Sequence, residues 1–432
     1  MNNKTDVIVV GGGPAGISAA ITVAKGGKSV VLIERGSFSG SKNVFGGAVY
    51  IKPMKDIFPD FEETAPLERK TTNHKYIILT ENDSVAVSYT NKQEKDFGSY
   101  SVIRSKFDKW LAQEAENAGV VLATETLVKE LILKEGKVVG VKTELEEYYA
   151  DIVILADGVN SMLARQIGFR KDLRPQDVAL GVKEVIKLPQ ETIESRFNLK
   201  DKEGAIYEIF GEPMLGILGL GFLYTNKDTL SIGLGVSLEE LTKKKIKPYE
   251  LLDKLLEHPN LKQYLEGGEV VEYSAHLIPE GGYKRIPKLY GNGILVTGDS
   301  AMLVNNLHWE GTNLAMYSGK FAGETALVAL EKCDFSANTL SLYQKKLEAS
   351  FVLKDLKTYK NLMSIISLRA GSFLSYWPHK ICGFFKMFTS VDNIPKRRKF
   401  RDYIKSVLTD RSLSELVKDG FNGLRLILGI LK

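Results

Sequence analysis

The first apolar run of the chain, Asp6-Val7-Ile8-Val9-Val10, has no polar interruption. This pattern predicts a strand buried on both faces. Glycines end it at once, and residues 17–26, rich in alanine, predict a helix. Residues 29–33 repeat the buried-strand pattern, as do residues 151–156 and 293–297 much further along. Between these runs the period changes. Residues 216–224 are apolar and glycine-rich, residues 229–236 alternate with a period of two, and together they predict an antiparallel hairpin. Residues 362–391 are dense in Ile, Leu, Phe, Met and Trp. They are broken by Arg369, Pro378, His379 and Lys380, too often for a bilayer span. A basic cluster (Lys396-Arg397-Arg398-Lys399, Arg401) and an apolar, cation-studded end over residues 421–432 follow.

With 432 residues, 44% hydrophobic and 26% charged, the chain can fill two or three globular domains. A net charge of +5 is mildly basic and does not call for nucleic acid. The polar start leading straight into a strand is not a signal peptide, so a cytosolic start is expected. The two cysteines, Cys333 and Cys382, cannot supply the four ligands of an iron–sulfur cluster. They read as buried apolar residues, with pairing left open. Metal-ligand spacing of His or Cys is absent from the sequence.

Gly11-x-Gly13-Pro14-Ala15-Gly16 sits where the first strand meets the first helix. In that position Gly11 allows a tight turn, Gly13 lets backbone approach a pyrophosphate, and Gly16 lets helix and strand pack closely. The helix N-terminus turns free N–H groups toward the phosphates. Glu34, 18 residues past Gly16, ends the second strand at the spacing for a ribose hydroxyl pair, with Arg35 beside it. Two further strand ends, Asp157-Gly158 and Gly298-Asp299, place aspartates where α/β sheets bind ligands. Asp299 is suited to a ribityl hydroxyl, and a helix is expected directly after it. The ordered set favours FAD over NAD.

On these residues the chain resembles the glutathione-reductase-type flavoproteins, in the branch with aromatic hydroxylases and geranylgeranyl reductases. It is more similar to the electron-transfer-flavoprotein:quinone oxidoreductase family, especially its shorter FixC-like members. The likeness runs over residues 1–390, through Ser41-Lys42-Asn43-Val44-Phe45-Gly46-Gly47, residues 102–111, Gly181-Val182-Lys183-Glu184-Val185, Gly221-Phe222-Leu223-Tyr224-Thr225, Ala275-His276-Leu277-Ile278-Pro279-Glu280-Gly281-Gly282 and residues 298–316. It implies an α/β fold: a glutathione-reductase-type, FAD-binding Rossmann domain, an inserted antiparallel β-sheet domain, and a C-terminal helical, membrane-surface segment. The expected division is 1–80, 98–180 and 285–335 for FAD, 181–284 for the quinone or substrate sheet, and 336–432 for membrane or partner contact.

The resemblance further implies electron flow from reduced electron transfer flavoprotein through FAD to a membrane quinone. Gly46, Gly47, Arg104 and Val128 would lie against FAD, with Gly311-Thr312-Asn313 opening a helix at the flavin pyrimidine end. Gly219 and Gly221 would face the quinone, although both serve equally as packing glycines in a sheet. Leu220 departs from the glycine expected in longer members. Those members also carry a cluster-binding domain whose cysteines are missing here. The resemblance therefore implies an iron–sulfur cluster only in a partner, a ferredoxin-like small subunit. His308 and Glu310 are weak candidates for proton handling, and His276 a weaker one. The C-terminal helices would make peripheral contact with the inner face of the cell membrane, or else cover the core or a partner. Two other functions stay open: an NAD(P)H-linked monooxygenase or geranylgeranyl-reductase-like enzyme, and a flavin-bearing scaffold without turnover.

Overall fold

A computed structural model describes residues 4–42, 46–91 and 98–431. Asn43, Val44 and Phe45 of the glycine-rich segment lie outside the described residues. Two compact units are present. The first comprises Met1–Lys70, Glu94–Ala179 and Ala275–Lys360; the second comprises Thr71–Gln93, Leu180–Ser274 and Asn361–Lys432.

The first unit is built on five parallel strands in the order Ile294–Val296, Glu147–Leu155, Lys4–Val10, Val30–Ile33, Val121–Ala123. The edge strand Val121–Ala123 carries no long apolar run, so the sequence pattern passes it over. Val7, Ile8 and Val9 pair on both sides and are fully buried, as their unbroken apolar run requires. Because the strands are parallel, Gly11, Glu34, Asp157 and Gly298 all fall at the same, carboxyl-terminal edge. The order reverses between Lys4–Val10 and Glu147–Leu155, which makes a topological switch point there.

Helix Pro14–Lys25 begins earlier than its alanine-rich stretch suggests, because Pro14 suits the first helical position. It packs against the long helix Thr312–Glu331. Gly319 and Gly323 of that helix lie so close to Ala15 and Ala19 that side chains there would overlap backbone oxygen.

The second unit holds strands in the order Glu269–Pro279, Val178–Lys187, Thr229–Ser237, Gly219–Thr225, Glu203–Gly211, Lys70–Leu79, with Ser84–Thr90 also on Lys70–Leu79. Thr229–Ser237, Gly219–Thr225 and Glu203–Gly211 pair antiparallel, as do Lys70–Leu79 and Ser84–Thr90. The hairpin is present, with Phe222 opposite Gly233 and Tyr224 opposite Ser231. Its core is formed by Tyr207, Ile209, Leu223, Ile232, Leu234 and Leu255, among others. The same unit holds the helices Trp377–Thr389, Lys396–Asp410 and Leu413–Ile430. Buried Asp419 ties them together, accepting from Trp377 Nε1 and Arg411 Nη1 and pairing with Arg369. Among the described residues, no helix is long and apolar enough to cross a membrane.

Candidate functional site

All elements of the site belong to the first unit. Gly11 has φ +108° and donates its N–H to the Ile33 carbonyl. A Cβ there would overlap the Ala156 carbonyl oxygen, and one at Gly16 would overlap that of Gly11. Gly13 differs: nothing lies within 4 Å of where its Cβ would stand. Directly behind it, helix Pro14–Lys25 has neither a side-chain cap nor an acidic residue in its first turn. Uncapped N–H groups beside open space suit an anion.

Glu34 closes the cradle. Its Oε2 accepts from Gly12 N at 2.8 Å and its Oε1 from Gly36 N at 2.6 Å. Each carboxylate oxygen retains acceptor capacity for a ribose hydroxyl. Nearby, the buried hydroxyls of Ser39 and Ser41 have no partner among the described residues. Arg35 points to solvent. Val128 is buried in the loop whose Thr126 N–H caps the Glu34 carbonyl.

Asp157 accepts from Ser161 Oγ and Ser300 Oγ, both at 2.8 Å. It thereby braces two strand ends instead of leaving its carboxylate open. Burial pushes its carboxyl up, opposed by those two hydrogen bonds. Gly158 beside it faces open space. Gly298, at φ +60°, abuts Ala15.

Asp299 is half-buried, and its carboxylate makes no hydrogen bond among the described residues. Burial raises it to about 6 while Arg104 and Arg170 pull it down. The helix expected directly after Asp299 is absent. Gly298–Ala301 is a single 3-10 turn, ended by Met302 in the left-handed region (φ +59°). A loop closed by reciprocal backbone bonds between Asn305 and Glu310 (2.9 and 3.2 Å) then leads to the helix at Thr312. That helix starts as expected from Gly311, again with no side-chain cap or acidic first turn. Asn313 in its first turn is buried with Oδ1 unpartnered among the described residues, as is Asn306 Oδ1 in the loop.

Arg104 opens helix Arg104–Asn117 and is buried. It forms a two-pronged pair with Asp108, Nε to Oδ1 at 2.8 Å and Nη2 to Oδ2 at 2.9 Å. Burial works against its charge, but Asp108 and Asp299 outweigh that and hold it above the ordinary value. Gly46 lies against its Nη1, and Gly47 accepts from Val102 N. His276 is half-buried; burial, then Arg104 and Arg35, pull it down to about 4.

His308 is exposed, edge-on to Tyr359. Glu310 accepts from Asn313 Nδ2 at 3.3 Å, and burial raises its carboxyl. Gly219 and Gly221 lie in the second unit, where side chains would press on Val236 and on Ile209, Met214 and Leu255 respectively. Sequence reasoning missed Asp108, Ser39, Ser41 and Ser300. Only Asp108 leaves a signal, its i,i+4 spacing from Arg104.

A parallel doubly wound sheet, an open phosphate cradle and orphaned polar atoms at both ends of one edge fit an extended dinucleotide. They define an FAD-dependent oxidoreductase, and residues 6–165 match the family model described as FAD dependent oxidoreductase. Residues 178–278 match the model for ETF-QO, ubiquinone-binding, and residues 369–428 the ETF-QO/FixC family C-terminal domain. The chain is 43% identical to Protein FixC of Bradyrhizobium diazoefficiens, over 98% of both chains. It is 40% identical to Protein FixC of Escherichia coli K12, over 98% of this chain and 99% of that one. The chain belongs to the ETF-QO/FixC family.

Among solved structures it is similar to a geranylgeranyl bacteriochlorophyll reductase-like protein from Thermoplasma acidophilum (TM-score 0.68, 24% identity, 82% of this chain and 85% of that one). It is also similar to the flavin-dependent halogenase CmlS (TM-score 0.65, 21% identity, 86% and 66%). At these identities the likeness is one of fold.

Proposed function

We propose that this protein passes electrons from reduced electron transfer flavoprotein through FAD to a membrane quinone. It would work beside a separate ferredoxin-like subunit that carries the iron–sulfur cluster. The observation that carries this reading is the match of residues 178–278 to a ubiquinone-binding model within a chain otherwise matching FixC end to end. We assign the ADP half of FAD to Gly11, Gly13, Pro14, Ala15, Gly16, Glu34, Arg35 and Val128. The flavin half is assigned to Gly46, Gly47, Arg104, Asp157, Gly158, Gly298, Asp299, Gly311, Thr312 and Asn313.

FAD, when bound, supplies the electron carrier. The protein's part is to hold and tune it. The uncapped helix start at Thr312 and the Arg104 guanidinium both favour negative charge beside them. Gly219 and Gly221 are assigned to the quinone side. With two cysteines in the chain, a cluster in a partner is the reading the composition supports. The functional division is FAD domain (1–80, 98–180, 285–335), quinone sheet (181–284) and docking helices (336–432). Those helices would rest on the inner face of the cell membrane, supported by apolar side chains left exposed along them.

The test is stopped-flow reduction of the bound flavin by reduced electron transfer flavoprotein and, separately, by NADPH, followed by reoxidation with a quinone. Rapid reduction by the carrier and reoxidation by quinone are expected. Reduction by NADPH alone would replace this reading with a monooxygenase-type one.

A further inference from the structure

Glu280 lies in the segment Ala275-His276-Leu277-Ile278-Pro279-Glu280-Gly281-Gly282, and the flavin assignment gives it no part. Its backbone is clamped on both sides. Its N–H donates to the Asp177 carbonyl oxygen at 2.8 Å, and its own carbonyl accepts from Asn306 Nδ2 at 2.7 Å. Asp177 is itself locked, accepting from Arg174 N, Nε and Nη2 and from Arg285 Nη2 at 2.7–3.2 Å. Asn306 belongs to the loop between Asp299 and Thr312, and Gly281 comes against Met302 of the same loop.

These bonds hold the Glu280 backbone against that loop, while its half-buried carboxyl makes no hydrogen bond or ion pair among the described residues. The charged groups around it are occupied elsewhere. Arg174 and Arg285 each pair with Asp177. Arg170 bonds Met302 Sδ and the Ser300 carbonyl. His276 lies four residues back, in the strand Glu269–Pro279 that ends just before Glu280, and Asp299 stands at the start of that loop under the influence of Arg104 and Arg170.

We propose that Glu280 is a redox-linked proton site of the flavin centre. It takes one proton from water as the cofactor is reduced and returns it as the electrons leave. The proposal rests on the reading that the isoalloxazine lies along residues 298–313. The step is a protonation of the carboxylate to the carboxylic acid, with no bond formed to the cofactor. The two electrons come from the reductant and pass on to the acceptor.

The physical reason is direct. A desolvated carboxyl with no donor already disfavours its charged form, and negative charge arriving nearby disfavours it further. Burial alone raises this carboxyl to about 8. Below that value it is protonated in both redox states. From that value up to the higher one the carboxyl takes beside the reduced cofactor, reduction draws in a proton.

The test is spectroelectrochemical titration of the FAD-loaded protein against pH. The wild-type midpoint potential should fall more steeply above about pH 8, by about 30 mV per pH unit for a two-electron couple. Glu280→Gln should lack the break and Glu280→Asp should keep one. A break that persists in Glu280→Gln, or a wild-type line with none, overturns the proposal. Should Glu280→Gln fail to retain FAD, the wild-type infrared difference spectrum decides. Reduction above about pH 8 should produce a protonated-carboxyl band that moves on glutamate isotope labelling, and its absence overturns the proposal. None of these readouts uses a quinone or a partner, so they stand apart from the electron route proposed above. A wild-type protein that never holds FAD would instead defeat that earlier reading.

Discussion

Ser300 donates its hydroxyl to Asp157 Oδ1 at 2.8 Å, joining strand ends that lie 143 residues apart in sequence. Ser161 donates to the same oxygen, also at 2.8 Å. Together they fix the Gly298-Asp299 turn against the end of strand Glu147–Leu155, so the aspartate that supports the site is distinct from the one that faces it.

Ser300→Ala should therefore loosen the turn without touching the phosphate cradle. A hydrogen bond to a charged group is worth about 1.5–3 kcal/mol. A loss of that order in apoprotein stability by urea unfolding, with weaker FAD retention, is expected. Unchanged values for both would show that Asp157 does not organise the site.

Gly11 and Gly13 are two residues apart and should respond to alanine in opposite ways. Gly11→Ala drives a methyl into the Ala156 carbonyl at φ +108°. A destabilisation on the order of 4 kcal/mol or more, or failure to fold, is expected. Gly13→Ala meets no protein atom within 4 Å and has φ −85°, which alanine adopts freely. Its melting temperature should stay near wild type while FAD affinity drops, because the methyl occupies space assigned to the pyrophosphate. A Gly13→Ala protein with undiminished FAD affinity would remove that assignment.

Asp108 holds Arg104 in a buried fork, with the two side chains 5% and 1% exposed. Removing one partner of such a pair typically costs about 3–5 kcal/mol. Asp108→Ala should fall in that range by chemical denaturation. Arg104→Lys cannot make the two-pronged contact and should shift the flavin midpoint potential downward, since a displaced cation stabilises reduced flavin less. An unchanged potential would detach Arg104 from the cofactor.

Much of the fold was legible because buried parallel strands write themselves as unbroken Val/Ile/Leu runs. Residues 6–10, 29–33, 151–156 and 293–297 carried that signal, and the alternation of residues 229–236 carried the hairpin. The glycine cradle and Glu34 were legible through spacing. What was hidden is tertiary. Ser300 and Asp157 meet only because adjacent strands end together, and Ser39 and Ser41 sit in a stretch without periodicity. The helix expected after Asp299 failed for a local reason. Met302 takes a left-handed conformation and Asn305 bridges to Glu310, so the chain must cross ten residues before Thr312 can begin a helix.

His276 gives the apoprotein a specific acid response. Burial, then Arg104 and Arg35, lower it from 6.5 to about 4. Between those values the unfolded chain binds a proton that the folded chain does not. The stabilisation is complete above about pH 6.5, is lost as pH falls, and levels off below about pH 4. A difference of this size corresponds to about 3 kcal/mol as an order of magnitude. His276→Gln should flatten the stability profile across that window in denaturant titrations. An identical slope in the variant would mean that His276 is not held neutral by its surroundings.

The C-terminal helices make the membrane reading testable at single side chains. Along Leu413–Ile430 and its end, Leu413, Val417, Phe421, Leu424, Ile427, Leu428 and Leu431 are exposed at helical spacing. Phe400, Ile404 and Leu408 form a second exposed row on Lys396–Asp410, in a helix that also carries Arg397, Arg401 and Lys405. Burying a large apolar side chain is worth about 1.5–3 kcal/mol, and each cation near an anionic surface adds about 1 kcal/mol. Phe421→Glu with Leu424→Glu should therefore lower partitioning onto anionic vesicles at least about tenfold by flotation. Added salt should weaken the wild type, because the cationic share is screened. FAD content should not change, since these helices lie in the other unit from the cradle. Equal flotation of variant and wild type would mean that this exposed stripe does not meet lipid and belongs to a protein partner instead.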